Sequence, residues 1–304
     1  MYSTQKNILY TPPKDIDGLT LSTNNDRIAQ GGLRLQGKYK VTTQNRPLIS
    51  IVTVVFNGEL FLEETILSVL NQTYDNLEYI IIDGGSTDGT LDIIRQYDYA
   101  IDYWVSDIDE GIYEAMNKGA KLAGGRYLNF MNAGDSYYTK QVLDNIAHVL
   151  KLKYSIVIGA AEFVYTKSQR VIKKARLSKF QMPNCHQSCF YLMSEFKNRY
   201  YSTEYKILAD FDYWFDEYVL NQANVIVIAD IICCYDMNGI SNNSVIKSLK
   251  EKADIYYSSS RWKYRILGTI DLLFNFIRIK LARVLQMFGI RAILVRLKLR
   301  LFGQ

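Results

Sequence analysis

The amino-acid sequence predicts an α/β fold built on a single Rossmann-like, mostly parallel sheet flanked by helices, and three observations carry that prediction. Apolar, β-branched runs (LISIVTVVFN from Leu48, EYIIID from Glu78) alternate with segments of helical period. Each run closes on acids and turn residues: Asp83 precedes GGSTDG, SDIDEG follows the next short run, and NAGD follows the one after that. Ligands of open α/β sheets bind outside the carboxyl ends of the strands, so these endings are also the candidate site.

Met1 to Arg46 has no sustained period and is broken by Gly31, Gly32 and Gly37, which predicts an irregular N-terminal arm over 1–46. Leu48 to Phe56 reads as a buried parallel strand, and Leu62, Ile66, Val69 and Leu70 then place one apolar face on a helix over Glu59 to Leu70. Glu78 to Asp83 and Thr90 to Tyr97 repeat the unit. Asp102 to Ser106 reads as a short strand, Gly111 to Leu122 as a helix, Arg126 to Met131 as a strand and Lys140 to Leu152 as a helix. Ser155 to Ala160 and Glu162 to Tyr165 are expected to pair as a small antiparallel extension ahead of a basic loop, Lys167 to Lys179. There the strict rhythm fails. Cys189 to Met193 is a short apolar element, Asp210 to Leu220 an aromatic-rich helix, Asn224 to Tyr235 a long strand and Ser244 to Tyr257 a helix. The expected division is a catalytic domain over 47–242 and a helical C-terminal extension over 243–304.

With 304 residues, 48% of them hydrophobic, the chain is long enough for one large α/β core with appendages. The net charge of +5 hides an asymmetry: Arg261 to Gln304 holds ten Lys or Arg against the single acid Asp271, so this segment carries +9 and the rest −4. The tail, not the body, seeks an anionic partner. Cys185, Cys189, Cys233 and Cys234 lack the spacing of a disulfide scaffold, which fits a reducing compartment. Cys185, His186 and Cys189 are conceivable metal ligands, whereas Cys233 and Cys234 belong to an apolar run and fit core packing. No secretory leader and no uncharged run of spanning length is read from the sequence, which leads to the expectation of a cytoplasmic protein.

Several strand endings carry residues suited to chemistry. Asp83, before Gly84 and Gly85, can project into a crevice and accept a hydrogen bond from a base or ribose; capping of the next helix is the alternative. The GGSTDG turn lacks GxGxxG spacing and no Walker lysine follows it, which removes ground from hydride transfer and ATP hydrolysis. Asp107 and Asp109 lie on one face of an extended segment before a helix, and Lys118, two turns on, is placed to neutralise an acid or contact phosphate. Asp135 ends NAGD with hard oxygens suited to Mg²⁺ or Mn²⁺. His186, in the polar loop NCHQS, is a candidate for metal or phosphate, and His148, within a helical run, for structure. Asp210 and Asp212 open a helix where a carboxylate can take a hydroxyl proton beside Tyr213 and Trp214, whose faces suit sugar rings; capping by Asp210 is the rival reading.

Six ordered blocks, ISIVTVVFN, IIIDGGSTDGT, SDIDEGIYEAMNKG, GRYLNFMNAGD, CHQSCFY and LADFDYW, over about Pro47 to Ser241, closely resemble the inverting family two glycosyltransferases of the GT-A fold, in particular bacterial enzymes of capsule, colanic-acid, O-antigen or exopolysaccharide assembly. The resemblance implies transfer from a nucleotide diphosphate sugar, usually UDP-linked, with inversion. It also implies roles: Thr53, Val55 and Asn57 at the nucleotide pocket, Asp83 holding the base, Asp107 and Asp109 near the ribose and donor sugar, Asp135 as last acid of a DxD-like metal motif, and Asp210 as catalytic base. Asn132 stands where that motif has its first acid, and Asn238, Gly239 and Ser241 resemble a loop that closes over the diphosphate. A divalent cation, Mn²⁺ or Mg²⁺, on Asp135 with help from His186 would stabilise the leaving diphosphate.

Beyond Trp262, apolar residues such as Leu272, Leu273 and Phe276 alternate with Arg278, Lys280 and Arg283. Such a basic amphipathic tail suits an anionic inner membrane leaflet and would bring the site to a polyprenyl-diphosphate-linked saccharide. A helix pair that docks on the catalytic domain, or makes a homo-oligomer, is the alternative. The apolar content is too high for a solvated nucleic-acid arm. Two other functions stand beside the transferase reading. A sugar-phosphate nucleotidyltransferase would want a glycine- and base-rich phosphate loop where this chain has FNGELFLEET, and a non-catalytic sugar-binding or scaffolding subunit would not need Asp210.

Overall fold

Two seven-residue runs form the centre of the sheet: β2 (Ile49–Val55) and β3 (Leu77–Asp83) pair in parallel without a break, from Ile49 opposite Leu77 to Val55 opposite Asp83. Every residue of both strands is buried, which is why they read as continuous apolar runs and not as alternating ones. The computed structural model describes residues 27–43, 45–237, 245–259 and 262–287. β4 (Tyr103–Asp107) extends the sheet beside β3 and β5 (Tyr127–Phe130) beside β2, both in parallel, so the spatial order is β4-β3-β2-β5. The strand order therefore reverses between β2 and β5, which makes the crevice beyond their carboxyl ends the topological switch point.

Helices cover both faces. Ile49, Ile51 and Val55 pack with α1 (Leu62–Leu70), α2 (Thr90–Gln96) and α4 (Val142–Leu150). On the other face lies α3 (Ile112–Leu122), where Gly119 permits a close approach: a Cβ there would lie 2.3 Å from Val52 Cγ1.

Within the expected irregular arm, residues 27–36 hold regular structure, and residues 38–43 continue without a helix or strand. β1 (Arg27–Gly31) pairs antiparallel with β4, and the 3-10 turn that follows buries Arg34 against Glu78, with Nη2 2.5 Å from Oε2. Arg34 Nη1 also donates to Leu122 O at 2.8 Å, and Glu78 Oε1 accepts from the amides of Gly124 and Gly125. A charge pair so fully enclosed is held by these extra hydrogen bonds.

Beyond β5 the sheet is mixed, a departure from the mostly parallel expectation. The two runs expected to pair with one another form the single strand β7 (Ile156–Thr166), because nothing in Ala160-Ala161 turns the chain. The turn comes at Lys167 and Ser168, inside the expected basic loop, and β8 (Gln169–Lys173) returns antiparallel along β7. β9 (Cys189–Leu192) enters between β5 and β7, antiparallel to both; β10 (Val225–Asp236) runs parallel to β7, and β6 (Ser136–Tyr137) pairs antiparallel with β10. The short α5 (Met193–Phe196) follows β9, and α6 (Ala209–Trp214) runs on into a π-helical turn over Phe215–Leu220.

The chain divides into two compact units, residues 1–239 and 240–304. In the second, α7 (Val245–Ser258) packs on α8 (Trp262–Met287): Asp271 receives Lys252 Nζ at 2.7 Å and Tyr256 OH at 3.1 Å. Ile270, Leu273, Phe274 and Ile277 of α8 are exposed. Among the described residues, no helix is long and apolar enough to cross a membrane.

Candidate active site

Three strand ends are tied together by Asp83. Its buried carboxylate accepts from Ser106 Oγ at the end of β4 (2.6 Å) and from the amide and hydroxyl of Ser86 in its own turn. Ser86 Oγ accepts from Asn57 N at 2.7 Å, and Asn57 Oδ1 accepts from Thr87 N at 2.9 Å, which fixes the loop after β2 to the loop after β3. Asn57 takes a φ of +50°, a left-handed conformation that asparagine tolerates. The capping alternative falls to Asp88, whose Oδ1 accepts from Thr90 N at 3.0 Å at the start of α2.

The acidic loop divides its work. Asp109 Oδ1 accepts from Gly111 N at 2.9 Å ahead of α3, while its Oδ2 lies over Gly84, only 2.6 Å from where a Cβ would stand. Partial burial, reinforced by the charges of Glu114 and Asp83, raises the pKa of Asp109. Asp107 pairs with Lys118 at 3.5 Å; Lys118 also meets Glu114 at 3.5 Å and donates to Ile108 O at 3.0 Å, so this lysine is engaged by its own helix and loop.

On the other side of the switch point, the turn after β5 holds Asn132 and Asp135, closed by Asp135 N donating to Asn132 O (3.0 Å) and by Gly134 at φ +98°. The buried Asp135 accepts from Asp236 N at 2.9 Å and from Gln187 Nε2 at 2.6 Å; burial outweighs these bonds and pushes its pKa up to about 7. Asn132 Nδ2 lies 3.0 Å from His186 Nε2, and His186 Nδ1 lies 3.5 Å from Asp210 Oδ2. Nε2 is within hydrogen-bond reach of the Asn132 amide, and Nδ1 faces the Asp210 carboxylate at ion-pair distance. Asp210 Oδ1 accepts from Phe211 N (2.8 Å) and stands 3.2 Å from Tyr113 OH, whose shorter bond, 2.6 Å, goes to Ile207 O. The carboxylate thus takes one bond at the start of α6 and keeps Oδ2 toward His186.

The predicted residues fall into two clusters at the carboxyl ends of the strands: Asn57, Asp83 and Asp109 with Asp107 and Lys118 nearby, and Asn132, Asp135, His186 and Asp210. Tyr113 of α3 reaches Asp210, and Phe61, exposed after β2, lies 3.7 Å from where a Cβ on Gly134 would stand. Thr53 and Val55 do not line an open surface. β2 is covered on both faces, Thr53 Oγ1 is spent on Met131 O (2.7 Å), and Val55 is buried. Tyr213 and Trp214 offer no stacking face either: both are buried, and Trp214 Nε1 donates to Ser178 O at 2.9 Å. Asp212 is paired with Arg199 at 2.8 Å. The Cys185–Cys189 segment is not a metal cage: among the described residues all four cysteines are free, and no three His, Cys, Asp or Glu converge on a cation position. Gly239 and Ser241 lie outside the described residues.

Gln187 and Tyr113 are the site residues that pattern reading misses. Gln187 stands next to His186 in CHQS, the one signal that could have found it. Among the described residues, no hydrogen-bond partner reaches the buried Gln187 Oε1 or Asn132 Oδ1. Two orphaned amide oxygens around a buried carboxylate fit a hard cation, which takes one or two carboxylates and completes its shell with substrate phosphates.

A switch-point crevice with acids at one end and a carboxylate, imidazole and carboxylate at the other defines a group-transfer enzyme of the GT-A type. The Glycosyl transferase family 2 model matches residues 50–215, and the chain belongs to that family and is a glycosyltransferase. A PGL/p-HBAD biosynthesis glycosyltransferase of Mycobacterium bovis (strain BCG / Pasteur 1173P2) is 30% identical over 181 residues, 55% of this chain and 68% of that protein. Two solved structures share the fold. S. aureus TarS 1-349 in complex with UDP has a TM-score of 0.53 and 17% identity, over 70% of this chain and 66% of that one. The mannosyltransferase PcManGT from Pyrobaculum calidifontis, in complex with GDP-Man and Mn²⁺, has a TM-score of 0.54 and 16% identity, over 75% of this chain and 69% of that one.

Proposed function

We propose that this glycosyltransferase moves a sugar from a nucleotide diphosphate sugar, UDP-linked, to a hydroxyl of a lipid-linked saccharide in surface polysaccharide synthesis, with inversion at the anomeric carbon. The observation that carries the reading is Asp210, a partly exposed carboxylate with one oxygen committed to the backbone and the other turned to His186. In the reaction, Asp210 takes the proton of the acceptor hydroxyl, whose oxygen bonds to the anomeric carbon as the bond to the diphosphate breaks; one displacement inverts the centre, and UDP leaves. Asp83, Asp109 and Asn57 would bind the nucleoside end, with Asp107 and Lys118 beside it and Thr53 and Val55 as buried support.

Asp135, with the amide oxygens of Asn132 and Gln187, would hold Mn²⁺ or Mg²⁺, and His186 would join them by exchanging its Nε2 contact with the Asn132 amide for the cation. Such a cation supplies charge neutralisation for the departing diphosphate. The UDP bound by TarS and the GDP-Man and Mn²⁺ bound by PcManGT support the donor class and the cation. The biosynthetic role in the name of the mycobacterial relative supports the place in glycan assembly. Gly239 and Ser241 are assigned to closure over the diphosphate by resemblance alone.

The enzyme would work at the inner face of the bacterial plasma membrane, the exposed apolar residues of α8 and the basic tail contacting the anionic leaflet. The test is a panel of nucleotide sugars offered with a polyprenyl-diphosphate-linked acceptor, with and without Mn²⁺, scored by released nucleotide. UDP release coupled to glycosylated lipid supports the reading; turnover only of nucleoside triphosphates with sugar phosphates opposes it.

A further inference from the structure

The β7–β8 hairpin and the segment that follows carry six Lys or Arg and no acid between Lys167 and Lys179. Nothing in the transfer reaction uses them. Arg170 is paired with Glu162 at 2.9 Å, and Lys173 lies over the Phe163 ring, 3.9 Å from its centroid. Among the described residues no carboxylate pairs with Lys167, Lys174, Arg176 or Lys179, and all four are exposed.

Lysines on an edge strand often do no more than prevent strand-to-strand aggregation. That explanation does not extend to the apolar residues set among these charges. On β8, Arg170 and Ile172 share the exposed face, and Lys174, Arg176, Leu177 and Lys179 follow directly after it as exposed residues, with Ile172 50% and Leu177 45% exposed. A face that alternates cations with half-exposed aliphatic side chains matches the headgroup boundary of an anionic bilayer, where the charges meet phosphates and the aliphatic groups enter the acyl margin. A soluble polyanion would leave Ile172 and Leu177 in water.

The hairpin is also fixed to the catalytic machinery. Trp214 Nε1 of α6, the helix whose first turn carries Asp210, donates to Ser178 O at 2.9 Å. Asn184 Nδ2 holds Lys173 O at 3.0 Å and Gly159 O at 3.1 Å, and two residues later the chain reaches His186. A leaflet bound at this face is thus held by the segments that lead to His186 and Asp210.

We propose that the β7–β8 hairpin is a membrane-docking surface for anionic phospholipid, separate from the C-terminal tail. The test uses the full chain and hydrogen–deuterium exchange, read peptide by peptide, with vesicles of phosphatidylcholine alone or of phosphatidylcholine and phosphatidylglycerol in equal amounts. The amides over residues 166–180 are expected to gain protection on the anionic vesicles and none on the neutral ones. Since each cation near an anionic surface contributes about fivefold in partitioning, the variant Lys174→Ser/Arg176→Ser/Lys179→Ser is expected to lose at least about tenfold in vesicle affinity. Unchanged exchange over 166–180 overturns the proposal, whether the protein stays off the vesicles or binds them through residues 243–304 alone. So does an unchanged affinity of the triple variant with its fold intact by circular dichroism. Nucleotide release with a soluble acceptor reads the transferase assignment independently of both.

Discussion

His186 Nδ1 lies 3.5 Å from Asp210 Oδ2 while its Nε2 meets Asn132 Nδ2 at 3.0 Å, so one imidazole joins the turn after β5 to the first turn of α6. The residue that would help hold the cation thus also orients the proposed base. His186→Ala is expected to lower kcat about 10- to 100-fold, the usual effect of losing such an orienting partner, and to raise the half-saturating Mn²⁺ concentration. Steady-state kinetics across a Mn²⁺ titration checks both, and a fall in thermal stability alone would mean a purely structural histidine.

Gly84 is where the loop after β3 lies directly against the Asp109 carboxylate. A methyl group there would meet Asp109 Oδ2 at 2.6 Å and displace the carboxylate. Gly84→Ala should weaken UDP binding by about tenfold, equivalent to about 1.4 kcal/mol, with little change in melting temperature. Gly85→Ala is the contrast: at φ +80° it should cost stability, about 1 to 2 kcal/mol, through the left-handed backbone. Calorimetric UDP titration and thermal melts separate the two.

Asp135 makes a prediction about stability and pH. Burial raises its pKa from the ordinary 3.8 to about 7 in the fold, so between those values the native state keeps a proton that the unfolded chain releases. Stability contributed below pH 4 is therefore lost as pH rises toward 7 and stays lost above it, by up to about 4 kcal/mol. Asp135→Asn should flatten that slope, with Gln187 able to turn its orphaned oxygen toward the new amide. Urea unfolding in EDTA at pH 5 and pH 8 measures it; equal pH slopes for wild type and variant would contradict the assignment.

The enclosed Arg34–Glu78 pair gives a stability test away from the site. Removing one partner leaves a buried charge, so Arg34→Ala should destabilise by about 3 to 5 kcal/mol, and adding Glu78→Gln should restore part of the loss. Chemical denaturation of the single and double variants reads the coupling.

The strands that are buried on both faces were legible, since β2 and β3 announce themselves as unbroken apolar runs and the acids at their ends mark the crevice. The antiparallel half was not. β9 inserts between β5 and β7 through pairings between segments far apart in sequence, and no local pattern reports them. Arg34 illustrates the same limit: in a polar stretch it reads as surface, and only the fold brings Glu78 to it. Within the site, acids at strand ends were visible as types and positions. Whether Thr53 or Trp214 faces a crevice or the core depends on which helix covers the strand, and period alone cannot say. Gln187 had only its neighbour to recommend it.

The most direct measurement compares Asp210→Asn with wild type for kcat, using the active UDP-sugar and lipid-linked acceptor, together with UDP affinity. Loss of a general base predicts a fall of about 10²- to 10⁴-fold in kcat with UDP affinity held within about twofold. An Asp210→Asn enzyme that keeps kcat within about tenfold of wild type would contradict the account, because the acceptor proton would then be leaving by a route that does not pass through Asp210.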